Sequence, residues 1–277
     1  MSKFTKEQKV AIEKGAHKRA RLVRVATKAV SLKASTRNVY IYSPPGIGKT
    51  HSINEAISKT ATQAVNISGN ISMFAFGLEL AVLAHVKDEG EKIIINVDDC
   101  DELFKNEMNI NVMKNMLDVA NPNRSYNYSK KMVVDLTDTQ QEAVDHFSNP
   151  KQMGFRVPVS DFVFVITSNS KLPTDDEVKE SNGNVMASHK NAIRSRCQTS
   201  DFDLESSELW GWIADVVMNT DALKTTEEAD KVKILKWLFT NWDNLTERSI
   251  RTVEKMALLL EEDEANCVYD WEIDFTK

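Results

Sequence analysis

Cysteine is scarce in this chain. Its 277 residues hold three, Cys100, Cys197 and Cys267, odd in number and far apart. That excludes a disulfide framework and points to a reducing compartment. None of them has the paired spacing of a zinc site. No run of about 18 apolar residues occurs, so no membrane span is expected. The opening Met-Ser-Lys-Phe-Thr-Lys-Glu carries no apolar signal core, and a cytoplasmic protein is the expectation. The five histidines are scattered, and neither His51 nor His189 has a partner at metal-ligand spacing.

What is present is the balance of a globular protein, 42% hydrophobic and 27% charged residues. The length suits one large domain or two smaller ones with a real core. The net charge of −6 is unevenly spread. Residues 1–37 carry eleven Lys/Arg against Glu7 and Glu13, a balance of +9, so the remaining 240 residues sum to −15. Such a split suggests a basic arm that meets nucleic acid or an acidic partner. A helix with a solvated basic face fits equally well.

Residues 6–34 have the 3.6-residue period of an amphipathic helix. Ile12, Ala16, Val23, Ala26 and Val30 share its apolar stripe, opposite Lys14, Lys18, Arg21 and Lys28. "NVYIYS" reads as a buried strand, "THSINEAISKTA" as a helix, "QAVNIS" as a strand and "MFAFGLELAVLAHVK" as a helix. "KIIINV" is the strongest strand signal and ends on Asp98-Asp99, with a helix expected from about Glu102 to Val119. Residues 120–160 look irregular, apart from a short helix at "DTQQEAVDHF" capped by Thr137 or Asp138. "DFVFVITSN" is another apolar strand. Strands alternating with helices imply a parallel sheet covered on both faces. After Ser206 the strand signals stop, and three helices follow at "SELWGWIADVVM", "EADKVKILKWLFT" and "TERSIRTVEKMALLL". Trp210, Trp212, Trp237 and Trp242 read as packing within them. The acidic tail after Leu260 is expected to fray or to lie along the surface.

The stretch "YSPPGIGKT", Tyr42 to Thr50, ends like the phosphate loop G-x-x-x-x-G-K-[ST], although Ser43 stands where that pattern opens on glycine. Such a loop curls backbone N–H groups around phosphate oxygens at a helix N-terminus. Gly46 and Gly48 permit close approach, Lys49 reaches the β/γ-phosphates, and the Thr50 hydroxyl ligates Mg²⁺. Asp98 lies 49 residues after Lys49, at the end of an apolar strand. There a carboxylate can share that Mg²⁺, with Asp99 orienting or deprotonating the attacking water. The competing reading of the two acids is a helix cap.

Together these motifs resemble the AAA+ ATPases over roughly residues 30–262. "PPGIGKT" is similar to their Walker A loop and "IIINVDDCDELF" to their Walker B strand. "FVFVITSN" is similar to the sensor 1 strand with Asn169 at its tip, "AIRSRC" to the arginine-finger segment, and "ERSIRTVEKM" to sensor 2. The resemblance implies a P-loop three-layer αβα core over 38–205, with an insertion at about 120–160. A basic N-terminal helix or arm (1–37) precedes it; a small all-α lid (206–262) and an acidic tail (263–277) follow. It further implies ATP and Mg²⁺ as ligands, with Pro45, Gly46, Ile47, Gly48, Lys49, Thr50, His51 and Arg251 at the nucleotide and Thr50 and Asp98 at the metal. Asp99, Asn169 and Arg196 are the implied catalytic set. Arg194 competes with Arg196 as the finger, and Arg248 with Arg251 as sensor 2. A ring or arc of identical subunits, with a hexamer as first expectation, completes the implication. Asp99 departs from the family's usual Glu by one methylene, which suggests slow hydrolysis. "SRC" is similar to clamp-loader subunits and the general layout to ATPases encoded by phages, which would place the protein in a host cytoplasm.

Two segments are candidates for the macromolecular substrate. "NRSYNYSKK" interleaves Arg124, Tyr126, Tyr128, Lys130 and Lys131, a pattern able to stack bases and pair phosphates; an exposed hairpin packed on a sheet edge is the alternative. "MFAFG" offers Phe74 or Phe76 with Gly77 as an unfoldase-type pore loop, against a plain helix core. A DNA-associated motor or loader, a protein remodeller and a slow ATP-gated scaffold are therefore all carried forward.

Overall fold

The computed structural model describes residues 3–31, 38–130, 135–149, 151, 153–262 and 266–277. The first half runs α1 (Lys6–Ala29), β1 (Asn38–Tyr42), α2 (Lys49–Ser58), β2 (Ala64–Ser68), α3 (Met73–Val86), β3 (Ile93–Asp98) and α4 (Glu107–Leu117). It continues through β4 (Ser125–Tyr128), α5 (Asp138–Phe147), β5 (Phe155–Pro158), β6 (Phe162–Ser168), α6 (Asp175–Glu180), α7 (Val185–Arg194) and β7 (Cys197–Asp201). Four helices follow: α8 (Ser206–Asn219), α9 (Glu228–Asn241), α10 (Ile250–Glu262) and α11 (Cys267–Phe275). None of the described helices is long and apolar enough to cross a membrane.

The chain divides into two compact units. The α/β unit comprises Ala26–Tyr42 and Ile53–Asp201. Its parallel sheet has the order β2-β3-β6-β1-β7. β6 is buried at every position and β3 at all but its last, as strands covered on both faces must be. The register aligns the carboxyl ends: Asp98 pairs with Ser68 and Thr167, and Tyr42 pairs with Ser168 and Asp201. In open α/β sheets ligands bind outside this end of the strands.

Several expectations within this unit need correction. The helix expected from Glu102 is broken into a 3₁₀ turn over Asp101–Phe104 and α4, because Asn106 leaves helical geometry and caps α4 by accepting the Asn109 N–H at 2.9 Å. The strand after Arg196 is "CQTSD", β7. The 120–160 region holds α5, capped by Thr137 in a capping box with Gln140, and also the antiparallel pair β4–β5.

The helical unit comprises Met1–Val25, Ser43–Ser52 and Phe202–Lys277. Its core gathers Ile12 of α1, Trp210 and Ile213 of α8, Leu235 of α9, Val253 and Met256 of α10 and Trp271 of α11. α1 crosses α8 at two glycines. A Cβ on Gly15 would lie 2.1 Å from the Trp212 nitrogen, and one on Gly211 would lie 1.8 Å from the Ala11 carbonyl oxygen. The acidic tail does not fray. Cys267, Trp271 and Phe275 recur every fourth residue and are buried, with the Trp271 indole donating to the Met256 carbonyl at 3.2 Å. Residues 263–265 of that tail lie outside the described set.

Candidate nucleotide site and its surroundings

The phosphate-loop candidate leaves β1 at Ser43. That side chain is fully buried, and its hydroxyl donates to the Pro44 carbonyl at 3.0 Å. A small residue is what the buried position requires, and a Cβ with one hydroxyl is accommodated. Gly46 and Gly48 adopt φ of +77° and +81°, the left-handed region that side chains avoid. Gly46 is doubly constrained, because a Cβ there would lie 2.5 Å from that of Ser249. At Gly48 a Cβ would meet only Ile250 Cδ1, at 4.0 Å. Lys49 opens α2 with its side chain largely buried, and its Nζ donates to the carbonyls of Ser43 (2.8 Å) and Pro44 (3.3 Å). The ammonium is thus held inside the curl of its own loop. Pro45, Thr50 and His51 are exposed.

The loop is also held by the helices of its own unit. The Ile250 N–H donates to the Gly46 carbonyl at 3.3 Å, and the buried Trp212 indole donates to the Ile47 carbonyl at 3.0 Å. Of the two sensor 2 candidates, Arg248 is engaged elsewhere. Its Nε donates to the Trp242 carbonyl at 2.9 Å, and its guanidinium stacks over the Trp242 ring. Arg251 is exposed in the first turn of α10, next to Ile250.

The acids form a connected group in the α/β unit. Thr167 Oγ1 donates to Asp98. Asp99 has φ of +56°, a conformation that Asp tolerates better than most residues. It is fixed there from both ends: its N–H donates to the Thr167 carbonyl at 3.1 Å, and its carboxylate accepts from Asn169 Nδ2 at 2.6 Å. Ser168 Oγ donates to Asp101. β3 and β6 therefore bring Asp98, Asp99 and Asn169 together. Cys100 sits among them as an inert thiol, pushed up to about 11 by burial and by Asp98, Asp99 and Asp101.

The finger candidates sit at the end of α7 and just before β7. Arg194 is bound to Asp201 at 2.9 Å and to the Leu172 carbonyl at 3.0 Å. Arg196 donates to the Ala192 carbonyl at 2.8 Å and faces Asp118 at 3.5 Å, while its buried Nε has no partner. It directly precedes β7, at the amino end of that strand and opposite the end that carries Asp201.

Of the two candidate substrate grips in the α/β unit, "MFAFG" is contradicted, and "NRSYNYSKK" loses Arg124 and Tyr126 while Lys130 stays exposed. Phe76 and Gly77 are buried inside α3, Phe74 packs on Tyr128 at 4.8 Å between centroids, and a Cβ on Gly77 would collide with the Tyr126 ring. "MFAFG" is helix core, contrary to the pore-loop expectation. In "NRSYNYSKK", Arg124 is buried and donates to the carbonyls of Met116, Ser160 and Phe162, and Tyr126 is buried with its hydroxyl on the Met73 carbonyl at 2.8 Å. These groups close gaps in the fold and offer nothing to a base. Lys131 lies outside the described residues.

On α1, part of the positive charge is spent internally. Lys18 pairs with Glu208 and Arg19 with Asp215, Arg21 lies over the Phe202 ring, and Lys3, ahead of the helix, pairs with Glu228. Lys6, Lys9, Lys14 and Arg24 are exposed along its outer face. Lys33 and Arg37 lie outside the described residues.

No protein-family model matches the chain, and no curated protein matches it. Solved structures do. A Thermotoga maritima RuvB mutant is 16% identical, with a TM-score of 0.44 over 91% of this chain and 67% of that one. A second, titled the Thermotoga maritima RuvB Holliday junction branch migration motor, is 14% identical, with 0.45 over 93% and 68%. Saccharomyces cerevisiae RIF2 is 11% identical, with 0.42 over 97% and 95%.

Proposed function

We propose that the protein is an AAA+-type ATPase that binds Mg-ATP at the loop over Ser43–Thr50 and couples its hydrolysis to work on DNA. The observation that carries this reading is the loop itself. Two left-handed glycines follow a buried strand, and the lysine that opens the next helix curls its ammonium inward. The acid group on the carboxyl ends of β3 and β6 supports it, since that edge is where such sheets meet ligands.

The residues suit a magnesium nucleotide. Thr50 and Asp98 offer hard oxygen donors, and Mg²⁺ is commonly held by one or two protein oxygens, with phosphates and water completing its shell. When bound, the ion neutralises charge on the β- and γ-phosphates. Lys49 pairs the same phosphates, Asp99 orients the attacking water with Asn169 beside it, Arg251 reaches the nucleotide from α10, and Arg196 serves a neighbouring subunit of a ring or arc. The exposed basic face of α1 is the DNA contact.

Lys49→Ala tests the assignment. A charge-assisted contact contributes on the order of 1.5–3 kcal/mol, so Mg-ATP affinity measured by calorimetry should fall at least tenfold while circular dichroism stays unchanged. Equal affinity in the variant overturns the reading. A second reading, a slow ATP-gated scaffold, is favoured by the hydrogen bond that already occupies Asp99; tight ATP binding with negligible DNA-stimulated turnover would select it.

A further inference from the structure

The phosphate loop does not set its own shape. In a trans peptide the carbonyl and the following N–H point in opposite directions. The Gly46 carbonyl is bound by the Ile250 N–H and the Ile47 carbonyl by the Trp212 indole. The N–H groups of Ile47 and Gly48 are therefore turned away from the two donors, the Ile250 N–H and the Trp212 indole. Successive N–H groups freed from their own helices and strands are what an anion-binding nest requires. Left-handed glycines are conformationally permissive, so without these two anchors the peptide planes could rotate freely. Trp212 is fully buried, with its ring edge-on to Phe202, and its donor is fixed in direction.

We infer that Trp212, assisted by the backbone N–H of Ile250, is a positioning residue for the phosphate loop: it presets the N–H groups of Ile47 and Gly48 to receive the phosphate chain of a nucleotide. The inference rests on the reading of the loop as a nucleotide site and adds to it a residue outside every motif. Nucleotide affinity should thus depend on one indole hydrogen in the helical unit.

A matched control exists two residues away. Trp210 is equally buried in α8 and donates its indole N–H to the Leu235 carbonyl at 3.3 Å, with no link to the loop. Trp210→Phe and Trp212→Phe remove the same atoms and the same kind of buried bond. Calorimetric titration with Mg-ATP and with inorganic tripolyphosphate, beside thermal unfolding, separates positioning from packing. Both variants should lose melting temperature, but only Trp212→Phe should bind both ligands more weakly, by roughly three- to tenfold. Ile250→Pro is the second probe. Proline is tolerated at the first position of a helix, and it deletes the other anchoring N–H; the same weakening is expected, and this holds the test open if Trp212→Phe fails to fold. Unchanged affinities in Trp212→Phe or Ile250→Pro, or equal losses in the two tryptophan variants, overturn the inference. A wild-type protein that binds neither ligand overturns the nucleotide-site reading instead.

Discussion

Gly15→Ala sets two physical effects against each other. Gly15 lies in the middle of α1, where helix propensity alone favours alanine by about 1 kcal/mol. The crossing with α8 opposes that gain. The added Cβ would stand 2.1 Å from the Trp212 nitrogen and 2.2 Å from the Gly211 carbonyl carbon, both backbone atoms that no side-chain rotation can move. Ordinary contact begins at 3.4 Å, so the two helices must separate by more than an ångström. That strips contacts from Ala11, Ile12 and Trp210 and strains the pairs Lys18–Glu208 and Arg19–Asp215. Overpacking of this kind costs about 1–3 kcal/mol, with the upper part of that range fitting a backbone-on-backbone clash. After the propensity gain, a net loss of about 1–2 kcal/mol should remain, or roughly 2–8 °C in melting temperature at about 2–4 °C per kcal/mol. Urea unfolding and calorimetry read it directly. A variant as stable as wild type or more so would show that propensity governs the site and that α1 does not press on α8.

Two further outcomes concern assembly and substrate. Arg196→Ala should bind Mg-ATP almost normally yet lose hydrolysis on the order of 10³-fold, as arginine fingers do. Mixing it with inactive Lys49→Ala should restore part of the activity, because some interfaces then join an intact loop to an intact finger. Mixtures no better than either variant, with subunit exchange demonstrated, would remove Arg196 from the interface. On α1, replacing Lys6, Lys9, Lys14 and Arg24 by Ala should weaken DNA binding in fluorescence anisotropy. The salt slope should shallow by up to about 0.9 per lost phosphate contact. An unchanged slope would leave α1 as ordinary helix surface.

The motifs were legible because each depends on residues close together in the chain. Gly46, Gly48 and Lys49 announce a curled loop by type and spacing, and the apolar runs of β3 and β6 announce strands covered on both faces. The capping box of Thr137 is local in the same sense. Aromatics and cations misled for the opposite reason. Arg124 and Tyr126 look like a nucleic-acid pattern, yet their polar atoms satisfy carbonyls of Phe162 and Met73, far along the chain. A buried Arg with three hydrogen bonds to backbone carbonyls leaves no trace in local composition.

The sequence by itself determined the alternation of strand and helix, the strand that ends in Asp98 and the loop that opens α2, since backbone preference and hydrophobic period act over a few residues. Tertiary structure decided which side chains meet one another. It put Asn169 on Asp99, engaged Arg248 with Trp242 and left Arg251 exposed. It turned the acidic tail into α11 around Trp271. It also brought Trp212 onto the carbonyl of Ile47, 165 residues away in the chain. Such choices follow from packing and from the need of every buried polar group for a partner, and those partners are fixed only when distant segments meet.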